Sequence, residues 1–215
     1  MQLAKFKWEA DVRIQIRRLV VHARLAIRAL AVCAAPLATS ATAAETYRID
    51  ADHTFAHFAV VHTGVSSVRG RIGVVKGNAT LDAAQQSAEV TVDLDPRTLD
   101  TGVKKLDAIL SGEMFFDVAK FKTARFSGHA VRFADGAPVE FDGELTIRNV
   151  TQPIHLTAER FVCQQVTILV IKHYVCGGDL TATLKRSDFG LTKYLSMVSD
   201  DVRITISVEA IREDR

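Results

Sequence analysis

The sequence predicts an all-β domain, an antiparallel sandwich or barrel, interrupted by one short helix. Three observations predict it: runs that alternate apolar and polar residues, turn signals between them, and one segment whose apolar residues follow helical spacing. When one sheet face packs on a core, successive side chains along each strand alternate between core and solvent. The clearest run is "VEFDGELTIR", with Val139, Phe141, Gly143, Leu145 and Ile147 on one face and Glu140, Asp142, Glu144, Thr146 and Arg148 on the other. "VRITISVEA" turns Val202, Ile204, Ile206, Val208 and Ala210 inward, and "DLTATLKR" does so with Leu180, Ala182 and Leu184. Similar runs near 53–62, 69–81, 87–94, 123–133 and 153–162 complete eight strands, separated by turn signals such as "DGAP" and "CGGD".

The interruption is "LDTGVKKLDAILSGEMFFD". Val103, Leu106, Ile109 and Leu110 follow helical spacing, Asp100 or Thr101 is placed to cap the start, and Gly112 to end it. One short helix among strands is expected to cover an end of the sheet. No repeat, low-complexity tract or linker divides residues 45–215, which read as one domain.

Residues 1–44 read differently. Lys5, Lys7, Arg13, Arg17, Arg18, Arg24 and Arg28 precede the apolar run "ALAVCAAPLA", which leads into the small residues of "TSATAAE". Basic, then apolar, then small is the order of a secretory signal peptide, with cleavage expected near Ala44. The apolar run is too short for a membrane span and contains Pro36. Export to the periplasm is the expected location.

Charge follows that division. The chain carries 27 Lys and Arg against 25 Asp and Glu; seven of the basic and two of the acidic residues lie in the first 44, leaving 20 against 23. The remainder is mildly acidic, so nothing in it favours nucleic acid, whose binding rests on phosphate neutralisation. Cys163 and Cys176 remain after the leader. In an exported protein such a pair is expected to form a disulfide. The catalytic signatures Gly-x-Ser-x-Gly, the Walker loop and His-Glu-x-x-His do not occur. An enzyme is not expected, and no catalytic residue or required cofactor is assigned.

"HTFAHFAVVH", His53 to His62, holds three histidines beside Phe55, Phe58, Val60 and Val61. On a strand, His53 and His57 share a face with Phe55, Ala59 and Val61, whereas His62 joins Ala56, Phe58 and Val60. The three imidazoles then do not converge, and no metal site is assigned. The apolar inward positions are interrupted by small residues, Gly143, Ala158 and Ala182, with Gly128 and Ala130 as further candidates. Such a face either packs closely or leaves volume for a ligand. An outer-membrane barrel also alternates, but the aromatic girdles of that class are missing.

Four segments in order resemble the YceI-like lipid-binding family: "YRIDADHTFAHFAVVHTG", "LDTGVKKLDAILSGEMFFD", "GELTIRNVTQPI" and "LKRSDFGL". They carry Tyr47, Ile49, Asp50, His53, Phe58, Val60 and His62; Asp100, Thr101, Asp107, Leu110, Ser111 and Phe115 to Asp117; then Gly143, Leu145, Thr146, Val150, Thr151 and Pro153, and lastly Arg186, Asp188, Phe189 and Gly190. The chain departs from the family pattern at Phe121-Lys122, at Ile72, and in the longer cysteine-bounded stretch "CQQVTILVIKHYVC". The resemblance implies an eight-stranded lipocalin-like barrel with one helical segment, holding a polyisoprenoid or isoprenoid quinone-like lipid. It implies a lining of Phe58, Val60, Phe126, Phe141, Leu145, Leu156, Ala182, Leu184 and Ile204, with Leu110 and Phe115 as a gate. A long-chain apolar lipid is the implied partner, and a membrane protein or a second copy in a homodimer is compatible with it.

Overall fold

In the computed structural model, residues 44–213 are described, and the expected leader lies outside them apart from Ala44. They form nine strands: β1 (Glu45–Ile49), β2 (Phe55–His62), β3 (Ser66–Asp82), β4 (Ser87–Asp100), β5 (Ala124–Ala134), β6 (Ala137–Ile147), β7 (Val150–Ile168), β8 (Ile171–Lys185) and β9 (Val198–Arg212). One helix, α1 (Lys104–Ser111), lies between β4 and β5, and a 3-10 turn at Arg186–Phe189 follows β8.

All pairings are antiparallel, in the order β1-β3-β2-β9-β8-β7-β6-β5-β4, and β3 also pairs with β4. That extra pairing closes the sheet into a ring and removes its open edges. The ring has eight staves although there are nine strands, because β1 and β2 share one. β2 pairs with β3 at 66–73 and with β9 at 198–207, while β1 pairs farther along the same two strands, at 78–81 and 210–212. The sequence reading ran its first strand from 53 and did not count Glu45–Ile49.

The break in that stave is sealed by side chains. Thr54 is 1 % exposed, and its hydroxyl both donates to the Glu209 carbonyl and accepts from the Glu209 N–H (3.3 and 3.2 Å). Asp50 N–H also donates to the Glu209 carbonyl. Backbone groups that would otherwise be orphaned at the gap are thereby paired.

Apolar faces turn inward as alternation predicts: Phe141 is buried while Asp142 and Glu144 are exposed. One position differs. The register of β5 against β6 shifts around Arg132, so Val139 has no opposite partner and Pro138 is the fully buried residue. A bulge of this kind changes which of two neighbours faces inward.

The barrel is unevenly filled. Toward the β7–β8 turn, Tyr47, Ile49, Val92, Cys176 and Ala210 form one packed cluster, and Ala88, Phe141, Leu156 and Leu180 form a second beside it. Tyr47 donates its hydroxyl proton to Glu45 (2.6 Å), and burial together with that carboxylate pushes the phenol pKa upward. Cys163 and Cys176 are directly opposite on β7 and β8 and are joined by a disulfide.

Candidate functional site

At the other end the lumen opens into a cavity of about 430 Å³. A smaller chamber of about 130 Å³ continues toward the disulfide. The two share Ala56, Leu94, Phe126, Leu156 and Ile206 as walls, which places them end to end along the barrel.

Two glycines explain how aromatic walls leave open space. Gly128 and Gly143 are opposite one another on β5 and β6, and a Cβ on either would lie 2.6 to 2.7 Å from the Phe126 ring. The ring therefore lies flat over the paired glycines instead of standing into the lumen. Phe58 covers its cross-strand partner Gly70 in the same way. Small inward residues thus act here by seating rings against the wall, and the unfilled volume lies beyond the rings.

The large cavity is roofed by α1 and two loops. Leu106, Ile109 and Leu110 of the helix, then Phe115 and Phe116, line it, yet the helix has no buried residue. Its apolar side faces empty volume rather than packed side chains. The expected capping is corrected: Val103 occupies the N-cap without a side-chain bond. Asp100 instead accepts from Gly102 N–H, and Thr101 is held by Asp107, which accepts from its N–H (2.8 Å) and its hydroxyl (2.6 Å). The spacing that suggested a cap serves the turn leading into the helix.

The second roof element is the stretch from Phe189 to Val198. Phe189, Leu191, Lys193, Tyr194, Met197 and Val198 line the cavity, and Tyr194 stacks on Phe115 with centroids 6.3 Å apart. Arg186 fixes this loop. Its guanidinium is buried and donates to the carbonyls of Leu191, Lys193 (2.8 Å), Val198 (3.0 Å) and Ser199 (2.9 Å). Burial lowers the Arg186 pKa, and the nearby Asp200 carboxylate opposes that shift. Asp200 is itself held by Ser187, whose hydroxyl (2.7 Å) and N–H (2.9 Å) donate to it.

Of the expected lining, Phe58, Val60, Leu110, Phe115, Phe126, Leu145, Leu156, Leu184 and Ile204 are on the wall of the large cavity. Phe141 lines only the smaller chamber. Ala182 is a correction: it lines neither, its single methyl packing against the cluster around Phe141, Leu156 and Leu180. Of the two side-chain departures from the family pattern, Ile72 is buried on the cavity wall. Phe121 lies away from it, beneath Lys120 and Arg148. The 189–198 loop was not assigned from sequence, since its apolar residues follow neither period of 2 nor of 3.6.

His57 and His62 separate as the alternation implies, whereas His53, expected on the strand face of His57, lies outside the strand, which begins at Phe55. His57 is exposed, and His62 lies at the cavity mouth with Lys193 and Tyr194. His53 sits in the turn before β2, where its Nδ1 is 3.0 Å from Asp50. That hydrogen bond raises the His53 pKa; for Asp50, burial acts upward but the bonds from His53 and Asp52 N–H bring the net shift below the ordinary value. Glu209 approaches this pair, so that three ligand-type atoms lie within 4.8 Å on the outside of the barrel.

A closed antiparallel barrel with an apolar lumen, a helical roof and a few polar groups at the mouth defines a lipocalin-like barrel. The chain belongs to the YceI-like family, whose domain matches residues 47–210. It is 31% identical over 191 residues to a UPF0312 protein of Ectopseudomonas mendocina, covering 87% of this chain and 98% of that one. It is 32% identical over 177 residues to Protein YceI of Salmonella arizonae, covering 81% and 90%. Among solved structures it resembles BcnA of Burkholderia cenocepacia (TM-score 0.57, 20% identity, 75% and 98% of the two chains). It also resembles a polyisoprenoid binding domain from Saccharophagus degradans (TM-score 0.55, 14% identity, 78% and 98%). At these identities the structural likenesses speak to the fold.

Proposed function

We propose that the chain is a periplasmic binding protein that sequesters or carries a long-chain isoprenoid or similar amphiphilic lipid in the barrel lumen, after removal of residues 1–44. One observation carries the reading: the apolar side of α1 and the rings of Phe58 and Phe126 border a cavity of about 430 Å³ that the protein's own side chains leave unfilled. Transfer of an alkyl chain from water into such a space is worth about 0.8 kcal/mol per methylene, without directional contacts. Length, shape and the polar mouth then set specificity. That mouth carries His62, Lys193 and Tyr194, and the cavity is lined by no carboxylate among the described residues. A polar or anionic head would rest there, with the tail running past Phe126 toward the smaller chamber. The binding of a polyisoprenoid by the domain from Saccharophagus degradans supports the ligand class.

The test is purification from the native host's periplasmic fraction, followed by organic extraction and mass spectrometry. A lipid in near-equimolar amount is expected. Repeated extracts without one contradict the reading.

A further inference from the structure

We propose that the β7–β8 hairpin is a wedge that docks the barrel on the surface of an anionic phospholipid bilayer. This hairpin outruns the rest of the barrel. The pairing of β6 with β7 ends at Thr157, and that of β9 with β8 ends at Val175, whereas β7 and β8 stay paired with each other to Ile168 and Ile171. Residues 165–174 are therefore a two-stranded ribbon with no third strand, a form that is marginal in water on its own. The Cys163–Cys176 disulfide clips the ribbon at its root, and Tyr174 anchors one face by packing on the Tyr47 cluster and beneath the Arg212 guanidinium (4.6 Å).

The tip is built against water in two independent ways. Leu169, Val170 and Ile171 are 90%, 92% and 60% exposed, three consecutive aliphatic side chains at the turn of the hairpin. Leu169 also adopts φ +52°, at the first position of a two-residue turn. That position favours glycine or asparagine, and a bulky side chain there is strained. Neither solvation nor backbone preference selects leucine at this place, which leaves an apolar surroundings as the selecting condition.

Charge specifies the kind of surroundings. From Arg160 to Gly178 there is no Asp or Glu, while Arg160, Lys172 and His173 are present. Along the two strands the nearest carboxylates are Glu159 and Asp179; across the sheet, Glu213 lies just beyond Ile211, the partner of Val175, beside the base of the ribbon, and Glu45 is paired with Arg212. An aliphatic point with Lys172 directly behind it matches an acyl layer beneath anionic headgroups, in an otherwise mildly acidic domain.

The test is flotation of the purified protein with phosphatidylcholine vesicles, with and without phosphatidylglycerol. The variant Leu169→Gly/Val170→Asn places glycine at the positive-φ first position of the turn, so the hairpin and the melting temperature are expected to be retained. Wild type is expected to float, more strongly with phosphatidylglycerol. The double variant is expected to lose about tenfold or more in partitioning, and Lys172→Glu to lose the preference for phosphatidylglycerol. Failure of the wild type to float, or equal flotation of the double variant, overturns the proposal. So does loss of self-association, without vesicles, as the sole effect of the double variant, which would assign the tip to a second copy. The readout is attachment to vesicles, so it is independent of what the lumen holds.

Discussion

The Phe126 ring lies against Gly143, with its Cε2 2.7 Å from where a Cβ on Gly143 would be. The same Cβ would meet the Ser127 carbonyl oxygen at 2.5 Å. Gly143→Ala is therefore expected to cost about 1–3 kcal/mol, as overpacking does, and to turn the ring into the lumen. Urea denaturation reads the first effect and the amount of co-purified lipid the second. Phe126→Ala in the same chain is expected to recover only the ring's share of the stability loss.

Arg186 holds four backbone carbonyls around the roof loop, and no other described side chain donates to those four. Arg186→Met leaves them without that donor in a partly enclosed site. A loss of about 3 kcal/mol or more is expected, since each buried unpaired polar group costs about 1–3 kcal/mol. Hydrogen exchange is expected to rise across 190–199 and to stay low in β5–β7. Uniform exchange throughout the barrel would show that Arg186 supports the whole fold instead of the roof.

Asp93 and Asp95 are buried beside exposed arginines. The hydrogen bonds from Arg125 and from Arg97 hold the respective carboxyls below the ordinary aspartate pKa, with burial acting against the shift. A depressed folded-state pKa means that the unfolded chain binds more protons as pH falls through about 4. The contribution of these pairs is complete above about pH 5 and is lost as pH drops through the folded-state values. Urea midpoints measured between neutral and acid pH are expected to fall in that window, and Asp93→Asn to flatten the fall. A midpoint insensitive to pH there contradicts the assignment.

The disulfide closes only the hairpin loop. Replacing Cys163 and Cys176 by alanine is expected to cost about 3 kcal/mol in the chain-entropy view. Hydrogen exchange should rise in 164–175, whereas the lipid content of the purified protein should not change. Loss of lipid in that variant would tie the ribbon to the closure of the smaller chamber.

Much of the barrel was legible because alternation is a direct consequence of strand geometry. Phe141, Leu145 and Ile204 were assigned inward on that pattern and are inward. What escaped depends on contacts made far along the chain. The split stave at Asp50–Thr54 exists only because Thr54 meets Glu209 on the last strand. Val139 and Pro138 exchanged places through a register shift set by β5. The roof loop around Leu191 to Met197 has no period to detect and is held by Arg186, whose motif was visible but whose carbonyl partners were not. Ala182 had the right parity and too short a side chain.

The most direct measurement is an experimental density map of the protein purified from its native host without delipidation. The account predicts continuous elongated density running from the mouth at His62 and Tyr194, between Phe58 and Phe115, past Phe126 toward Phe141. A lumen closed by inward rotation of those rings, or one holding only separated water peaks, would contradict it.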